Sequence, residues 1–230
     1  MTLLPDRPLI KIDGFRQLEH AQVASDAGAD MVGFIFAPAR RQVTADQAGA
    51  IVDALRGDAI PTGVFVDESV DEINGTANAA GVALLQVHWR DDERDLLGLE
   101  LPYFLVRRTE PGATYDILAP DLERVLNSSN PPLRLVIDSY QPGASGGTGV
   151  LADWELAGQL ARSFPILLAG GLRPANVVDA IEAVRPAGVD VSSGVEADGT
   201  KSPELIRAFV ANARAAFERY SLSSAITTQS

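Results

Sequence analysis

Eight short apolar runs alternate with amphipathic runs along almost the whole chain, and this alternation restricts the fold more than any other feature. The runs are nearly continuous in apolar character, as is typical of parallel strands that are covered on both faces. The predicted strands span residues 9–13, 31–36, 62–66, 83–88, 103–107, 134–138, 166–169 and 189–192. Eight strand–helix repeats in 230 residues predict a single (β/α)8 TIM barrel. A doubly wound open sheet is the competing architecture, although eight repeats would be many for one.

The segments between the predicted strands carry helical patterns. Helix candidates span residues 16–29, 44–56, 69–81, 153–164, 173–185 and 202–220, whereas 91–97 and 121–129 are weak as helices. Thr44 and Ser69 have N-cap side chains, Asp153 precedes a helical pattern, and Pro203 suits a first turn. No linker divides the chain, so we expect one barrel over residues 1–219 and a polar, flexible tail over 220–230.

Composition argues against several classes of function. The chain has 31 acidic and 19 basic residues, a net charge of −12, whereas nucleic acids and anionic membranes need a basic surface. There are no cysteines, so disulfides, thiolate metal sites and cysteine nucleophiles are excluded. The two histidines, His20 and His88, lie far apart, and we predict no metal site. The chain starts without a signal-peptide pattern and has no long apolar run, so we expect a cytoplasmic protein and no membrane partner.

Two glycine-bearing turns follow predicted strands seven and eight. Gly170 and Gly171 lie between a strand and a helix, and Ser192, Ser193 and Gly194 end the last strand. Glycines there let backbone N–H groups approach an anion, and barrels frequently bind phosphate at this position. The alternative is two ordinary tight turns that require positive φ.

A third glycine-rich stretch, QPGASGGTGVLADW, spans residues 141–154 after strand six and includes Gly147. It lacks the lysine and following hydroxyl of a Walker loop and does not fit a dinucleotide-binding fingerprint. As a loop at the mouth of a barrel it could close over substrate. A mobile surface connection remains the alternative.

Two aspartates are the candidate acid–base pair. Asp13 ends predicted strand one and Asp138 ends strand six, so both should face the catalytic mouth of a barrel. Such a pair suits proton transfers at two different atoms, with one carboxyl as base and the other as acid. Each could instead cap a helix or pair with a basic residue.

Basic side chains near the same end could bind an anionic substrate. Arg40 and Arg41 follow strand two, and a guanidinium can grip a carboxylate or phosphate with two hydrogen bonds. At least one of the two could be a solvated turn residue. His88 ends strand four as a cavity-lining residue or a core histidine, and Arg107 and Arg108 are ligands or surface ion-pair partners.

Several motifs together resemble the phosphoribosylanthranilate isomerases of tryptophan biosynthesis. The resemblance runs over about residues 11–210 and depends on these motifs in order: KIDG, AGADMVGFIF, TGVFVD, LLQVH, GGTG followed by DW, LLAGGLRPANV and GVDVSSGVE. It implies a (β/α)8 barrel, monomeric or homodimeric, that needs no cofactor. It also implies an Amadori rearrangement of N-(5-phosphoribosyl)anthranilate to the 1-deoxyribulose compound.

The resemblance assigns roles to residues of this chain. Asp138 matches the general acid that protonates the furanose ring oxygen, and Asp13 lies where the general base removes the C2 proton. Arg41 matches the arginine that contacts the anthranilate carboxylate, and the glycine turns match the phosphate site. The predicted substrate-binding residues are Arg41, His88, Gly147, Gly170, Gly171, Ser193 and Gly194.

The chain departs from the family pattern at three places. Asp13 replaces the usual cysteine, the loop FAPARRQV is about one residue shorter than usual, and Val150 replaces a lysine after GGTG. A carboxylate is a weaker base than a thiolate, because the ordinary pKa is about 3.9 for a carboxyl and about 8.5 for a thiol. For a Brønsted coefficient of about 0.5, this difference lowers the rate of proton abstraction by roughly two orders of magnitude. Aspartate is almost fully ionised at pH 7, whereas an ordinary thiol is not, and this recovers about one order of magnitude of that rate. Asp13 can therefore serve as base if it reaches C2.

Two other functions compete with this interpretation. A histidine-branch phosphoribosyl isomerase, or a bifunctional enzyme, would use an aspartate at the end of strand one. Its substrate carries two phosphates, however, and the first half of this chain shows no second glycine-rich turn. A barrel that binds a phosphorylated metabolite without turnover is the non-enzymatic alternative, motivated by the missing cysteine.

Overall fold

Parallel strands of the described residues close into one barrel. The structure is a computed structural model that describes residues 3–88, 96–110, 112–138 and 150–227. The strands are β1 (Leu9–Asp13), β2 (Met31–Ile35), β3 (Ile60–Phe65), β4 (Leu84–His88), β5 (Tyr103–Arg108), β6 (Arg134–Asp138), β7 (Ile166–Ala169) and β8 (Gly188–Val191). They pair in chain order, and β8 pairs with β1 to complete the circle. The predicted (β/α)8 barrel is therefore confirmed, and the open sheet is excluded.

Helices surround the barrel. They are α1 (Leu18–Asp26), α2 (Ala45–Ala54), α3 (Val70–Ala80), α4 (Tyr115–Leu126), α5 (Val150–Ala161), α6 (Val177–Val184) and α7 (Pro203–Thr227). Neighbours in chain order pack side by side from α1 to α3 and from α4 to α7, and α7 packs on α1. After β8 come a 3-10 turn, Ser193–Val195, and a hairpin of β9 (Glu196–Ala197) and β10 (Thr200–Lys201). Among the described residues, no helix has the length and apolar character needed to cross a membrane.

The predicted helix starts are partly confirmed. Thr44 caps α2 by accepting a hydrogen bond from the Gln47 amide at 3.2 Å, and the Gln47 side chain accepts from the Thr44 amide. Ser69 forms the same box at the start of α3, and Pro203 begins α7. Asp153 does not precede a helix, because α5 begins at Val150 and includes it.

The prediction that residues 121–129 are weak as a helix is wrong, because helix α4 spans Tyr115–Leu126. It is a twelve-residue helix that includes Pro120, and it forms because Leu118, Ala119 and Leu122 give it a buried apolar face. Residues 91–95 of the other weak segment lie outside the described residues. Helix α7 continues to Thr227, beyond the boundary at residue 219 expected from the polar tail.

Side chains alternate between the barrel interior and the helical layer. Ile10 and Ile12 of β1 belong to the cluster between barrel and helices, whereas Leu9 packs inside the barrel. The interior cluster consists of Leu9, Met31, Leu84, Phe104, Val106, Val136, Leu167 and Ala169. By the same alternation, Lys11 and Asp13 also face inward, closer to the carboxyl ends of the strands than Leu9 of this interior cluster. Polar interior residues therefore lie toward the carboxyl ends of the strands.

Asp30 forms a network of polar contacts at the amino ends of the strands. Its buried carboxylate accepts a hydrogen bond from the Ile10 amide at 2.7 Å and pairs with Arg7, also at 2.7 Å. It pairs further with Arg214 of α7. This network ties the last helix to the first two strands, away from the carboxyl ends.

Candidate active site

A cavity of about 360 Å³ opens at the carboxyl ends of the strands. This is the end at which barrel enzymes hold their active sites. The sequence-predicted residues that line it are Asp13, Arg41, His88, Asp138, Gly170, Gly171, Ser193 and Gly194. Gly147 lies outside the described residues. Except for this glycine, the structure brings all the predicted site residues to one cavity.

The Asp13 carboxylate is held from two sides. Its Oδ1 atom accepts a hydrogen bond from Nζ of Lys11, two residues earlier on β1, and its Oδ2 accepts from Nε2 of Gln86 at 3.1 Å. A Cβ at position 33 would overlap Oδ1, so Gly33 of β2 makes the room that this carboxylate occupies. Only 8% of the Asp13 side chain is exposed. It is therefore a fixed carboxylate that borders the cavity.

Asp190 of β8 is a second buried acid beside Asp13. Its Oδ1 lies 3.3 Å from Nζ of Lys11, which is itself fully buried. Burial raises the pKa of Asp190 to about 7, and the Asp13 carboxylate acts in the same direction, against the charge of Lys11. One ammonium thus contacts two acidic side chains in the barrel interior.

Asp138 is more open than Asp13. Arg108 approaches its Oδ2 to 3.4 Å, but this arginine is 58% exposed and the pair adds little to stability. Burial lowers the pKa of His88, although Asp138 and Asp13 oppose that shift. The lowered pKa favours the neutral form of the His88 imidazole, which lines the cavity.

The glycine turns form one wall of the cavity. Gly170 and Gly171 have φ of 96° and 66°, which L side chains rarely adopt. Gly194 packs so tightly on the loop after β7 that a Cβ there would overlap the carbonyl oxygen of Leu172. This close backbone approach brings the turns after β7 and β8 together, as an anion site requires. Within the described residues, no group of three or more histidine and acidic side chains could hold a metal ion.

The Glu196 carboxylate contacts three cationic side chains at the rim of the cavity. It accepts hydrogen bonds from Arg41 and Arg40 and pairs with Lys201 at 3.4 Å. Although burial raises the pKa of Glu196, the donors Arg41 and Arg40 lower it to about 2. Burial lowers the pKa of Lys201 to about 8, and its Nζ donates to the carbonyl of Ser192 at 2.7 Å. The hairpin thereby links Arg41 to the turn after β8.

The two arginines after β2 have different surroundings. Arg41 lines the cavity with 20% of its side chain exposed, whereas Arg40 is 54% exposed and contacts the carbonyl of Gly199 at 2.7 Å. Arg41 is therefore the one placed to contact a ligand in the cavity.

Comparison with known proteins identifies the family. A family model described as N-(5'phosphoribosyl)anthranilate (PRA) isomerase matches residues 10–212. The chain belongs to this family. It is 45% identical over 214 residues to an N-(5'-phosphoribosyl)anthranilate isomerase of Roseiflexus sp. (strain RS-1), covering 90% of this chain and 98% of the relative. It is 42% identical to the enzyme of Desulforudis audaxviator over 208 residues, covering 90% and 98%.

Solved structures agree with the family assignment. The phosphoribosyl anthranilate isomerase of Thermotoga maritima has a TM-score of 0.76 and 29% identity, covering 90% of this chain and 99% of that one. Another family structure, in complex with reduced 1-(o-carboxyphenylamino)-1-deoxyribulose 5-phosphate, has a TM-score of 0.72 and 30% identity, with the same coverage.

Sequence reasoning missed Lys11, Gln86 and Asp190, which surround Asp13. All three lie within strands, where polar residues interrupt runs that looked continuously apolar. The sequence did contain a signal for Lys11 and Gln86, because each lies two residues before a predicted site residue, Asp13 and His88 respectively. This spacing of two puts each pair on the same face of a strand. The link from Arg41 to Glu196 joins residues 155 positions apart and has no local signal.

Proposed function

We propose that this chain catalyses the Amadori rearrangement of N-(5-phosphoribosyl)anthranilate to 1-(2-carboxyphenylamino)-1-deoxyribulose 5-phosphate, with Asp13 as general base and Asp138 as general acid. The observation that carries the proposal is that both carboxyl groups border one cavity, together with the glycine turns after β7 and β8. A phosphate on one wall and two carboxyl groups near the sugar are the elements that this isomerisation needs.

Asp138 in its protonated form opens the ring. It gives its proton to the furanose ring oxygen, the bond between C1 and that oxygen breaks, and the anthranilate nitrogen lone pair forms a C1–nitrogen double bond. Asp138 suits this role because it is the more open of the two acids and can regain a proton through the cavity. The iminium ion that results makes the C2 proton more acidic.

Asp13 in its carboxylate form removes the C2 proton. The electron pair of that C–H bond forms the C1–C2 double bond and neutralises the nitrogen, which gives an enolamine. Loss of the proton from the C2 hydroxyl and gain of one at C1 then give the ketone. Two hydrogen bonds, from Lys11 and Gln86, fix the carboxylate for this step.

The remaining residues bind the substrate in this proposal. Gly170, Gly171, Ser193 and Gly194 receive the phosphate, and Arg41 receives the anthranilate carboxylate. Arg41 already holds a carboxylate, that of Glu196, so the substrate either shares or exchanges this partner. His88 lies beside the sugar in this proposal, and Gly147 stays a predicted substrate-binding residue.

The test of the function is loss of substrate fluorescence with the purified protein. We expect turnover by the wild type and a loss of about 10²–10⁴ in kcat for Asp138→Asn, the range that general acid–base groups contribute. Asp30→Asn removes a carboxylate at the other end of the barrel, more buried than that of Asp138, and serves as the control for loss of an acidic side chain outside the cavity. If the wild type binds inorganic phosphate but converts no substrate, the protein is a binding barrel and the proposal fails.

The substrate is then a small phosphosugar, and we expect a monomer or homodimer in the cytoplasm that needs no cofactor. Light scattering on the purified chain measures its mass in solution against 24.4 kDa for one chain. Activity that survives dialysis against a chelator supports the absence of a metal requirement.

A further inference from the structure

Both oxygens of Asp13 already accept hydrogen bonds, one from an ammonium and one from an amide N–H. Each oxygen keeps a lone pair that can take the C2 proton, but the two donors favour the carboxylate over the protonated carboxyl group. Among the described residues, Gln86 Oε1 has no hydrogen-bond partner, but Nε2 is the atom that faces Asp13. The proton that Asp13 takes from substrate must therefore move on before the carboxylate is restored.

Lys11 offers the next step. Its Nζ contacts Asp13 Oδ1 and lies 3.3 Å from Asp190 Oδ1. The whole lysine is buried, and its neighbours on both sides of the ammonium are carboxylates from adjacent, hydrogen-bonded strands. Two carboxylates in one buried site do not both ionise freely, because like charges at short range oppose each other. The ammonium between them offers a short path for one proton from Asp13 to Asp190.

We propose that Asp190 is a positioning residue for the base: through the shared Lys11 ammonium it takes up the proton that Asp13 removes from substrate. Asp13 gives its proton to Nζ as Nζ gives another to Asp190. One O–H bond breaks and one forms, Lys11 stays an ammonium, and the negative charge moves from Asp190 to Asp13. Asp190 borders the cavity and releases the proton there. This relay rests on the proposed function, since it presupposes that Asp13 is the base.

The relay needs Asp190 ionised at the start of each turnover. The charged groups around it are Asp13 and Lys11 on β1 and Asp138 on β6, with His88 of β4 near the same carboxylates and Lys201 of β10 near Asp13. Because burial raises the pKa of Asp190 to about 7, this acid gains a proton as the pH falls through neutrality. The kcat of the wild type should accordingly fall as the pH is lowered through neutrality.

The test is the pH profile of kcat for wild type, Asp190→Asn and Asp190→Glu. We expect Asp190→Asn to lose at least about tenfold in kcat at pH 8 and to lose the decline between pH 8 and pH 6. Asp190→Glu keeps a carboxyl group and should keep the decline. Ionisation of the substrate phosphate affects all three proteins alike, so the difference between their profiles reports on position 190. Asp30→Asn, a control with a similarly buried acid, should lose stability and keep the wild-type profile.

Each outcome decides the proposal. A wild-type kcat that stays flat over the pH range in which the Asp190 carboxyl titrates, followed by NMR of its carboxyl carbon in the purified protein, overturns the relay, even if Asp190→Asn fails to fold. An Asp190→Asn variant with the wild-type kcat or the wild-type decline also overturns it, while inactivity of Asp13→Asn would leave the proposed function standing. A wild type that converts no substrate overturns the proposed function and the relay with it.

Discussion

The carboxylate of Asp13 lies over Gly33 of the neighbouring strand, where a Cβ at position 33 would overlap its Oδ1. Asp13 and Gly33 are also register partners in the pairing of β1 with β2. The orientation of the proposed base therefore depends on the absence of a side chain at one position of β2.

Gly33→Ala should displace the Asp13 carboxylate and lower kcat by about tenfold or more, because a small misplacement of a catalytic group is costly. The same overlap should destabilise the fold by roughly 1–3 kcal/mol. Steady-state kinetics and urea unfolding measure the two effects.

The matched control for this change is Gly75→Ala in helix α3. A Cβ at position 75 meets nothing within 4 Å. Alanine should stabilise the helix by about 0.5–1 kcal/mol and leave kcat unchanged. If Gly33→Ala keeps the wild-type kcat, the position of Asp13 does not control the reaction.

Gly194→Ala should weaken phosphate binding. The added Cβ would overlap the Leu172 carbonyl oxygen, a backbone atom that cannot turn aside, so the turn after β8 must move. We expect KM to rise about tenfold or more, since one hydrogen bond to a charged group contributes about 1.5–3 kcal/mol.

Inhibition by inorganic phosphate distinguishes weaker phosphate binding in Gly194→Ala from weaker binding of the anthranilate carboxylate. Phosphate should inhibit Gly194→Ala less than the wild type. Equal inhibition of both proteins would show that the phosphate binds elsewhere.

The fold could be predicted from the sequence because each strand is a short apolar run. The ends of β1, β6 and β7 agree with prediction, and the others differ by one or two residues. Helix α4 was underrated since Pro120 and several polar residues weaken its local pattern, while its stability comes from a buried face.

The candidate site was predicted in part, for a geometric reason. Asp13 and Asp138 end parallel strands, and such ends meet at one mouth of a barrel. The contacts of Asp13 with Gln86 and the contact of Arg41 with Glu196 join distant parts of the chain. Strand register and side-chain direction decide such contacts, and local pattern does not contain them.

Glu196 should stabilise the protein in a pH-dependent way. The donors Arg41 and Arg40 lower its pKa from 4.5 to about 2, so the folded state binds its proton more weakly than the unfolded state does. This contribution is present above pH 4.5 and is lost as the pH falls toward 2. Glu196→Gln should therefore destabilise the protein at pH 7, by roughly 1–3 kcal/mol, and by about half as much or less at pH 3.

Urea unfolding of wild type and Glu196→Gln at pH 7 and pH 3 tests this prediction. Released from Glu196, Arg41 should also lose its fixed position, so KM for the anthranilate substrate should rise. A difference in unfolding free energy that is the same at both pH values would contradict the assigned charge of Glu196.

Asp13 as the proton-abstracting base is the central claim, and kcat of Asp13→Asn and Asp13→Cys, measured side by side, tests it most directly. Asparagine has nearly the same shape but cannot accept the proton, whereas a thiol beside the Lys11 ammonium can ionise and act as base. We predict a loss of about 10²–10⁴ in kcat for Asp13→Asn and a much smaller loss for Asp13→Cys. An Asp13→Asn variant with the kcat of the wild type would contradict the claim.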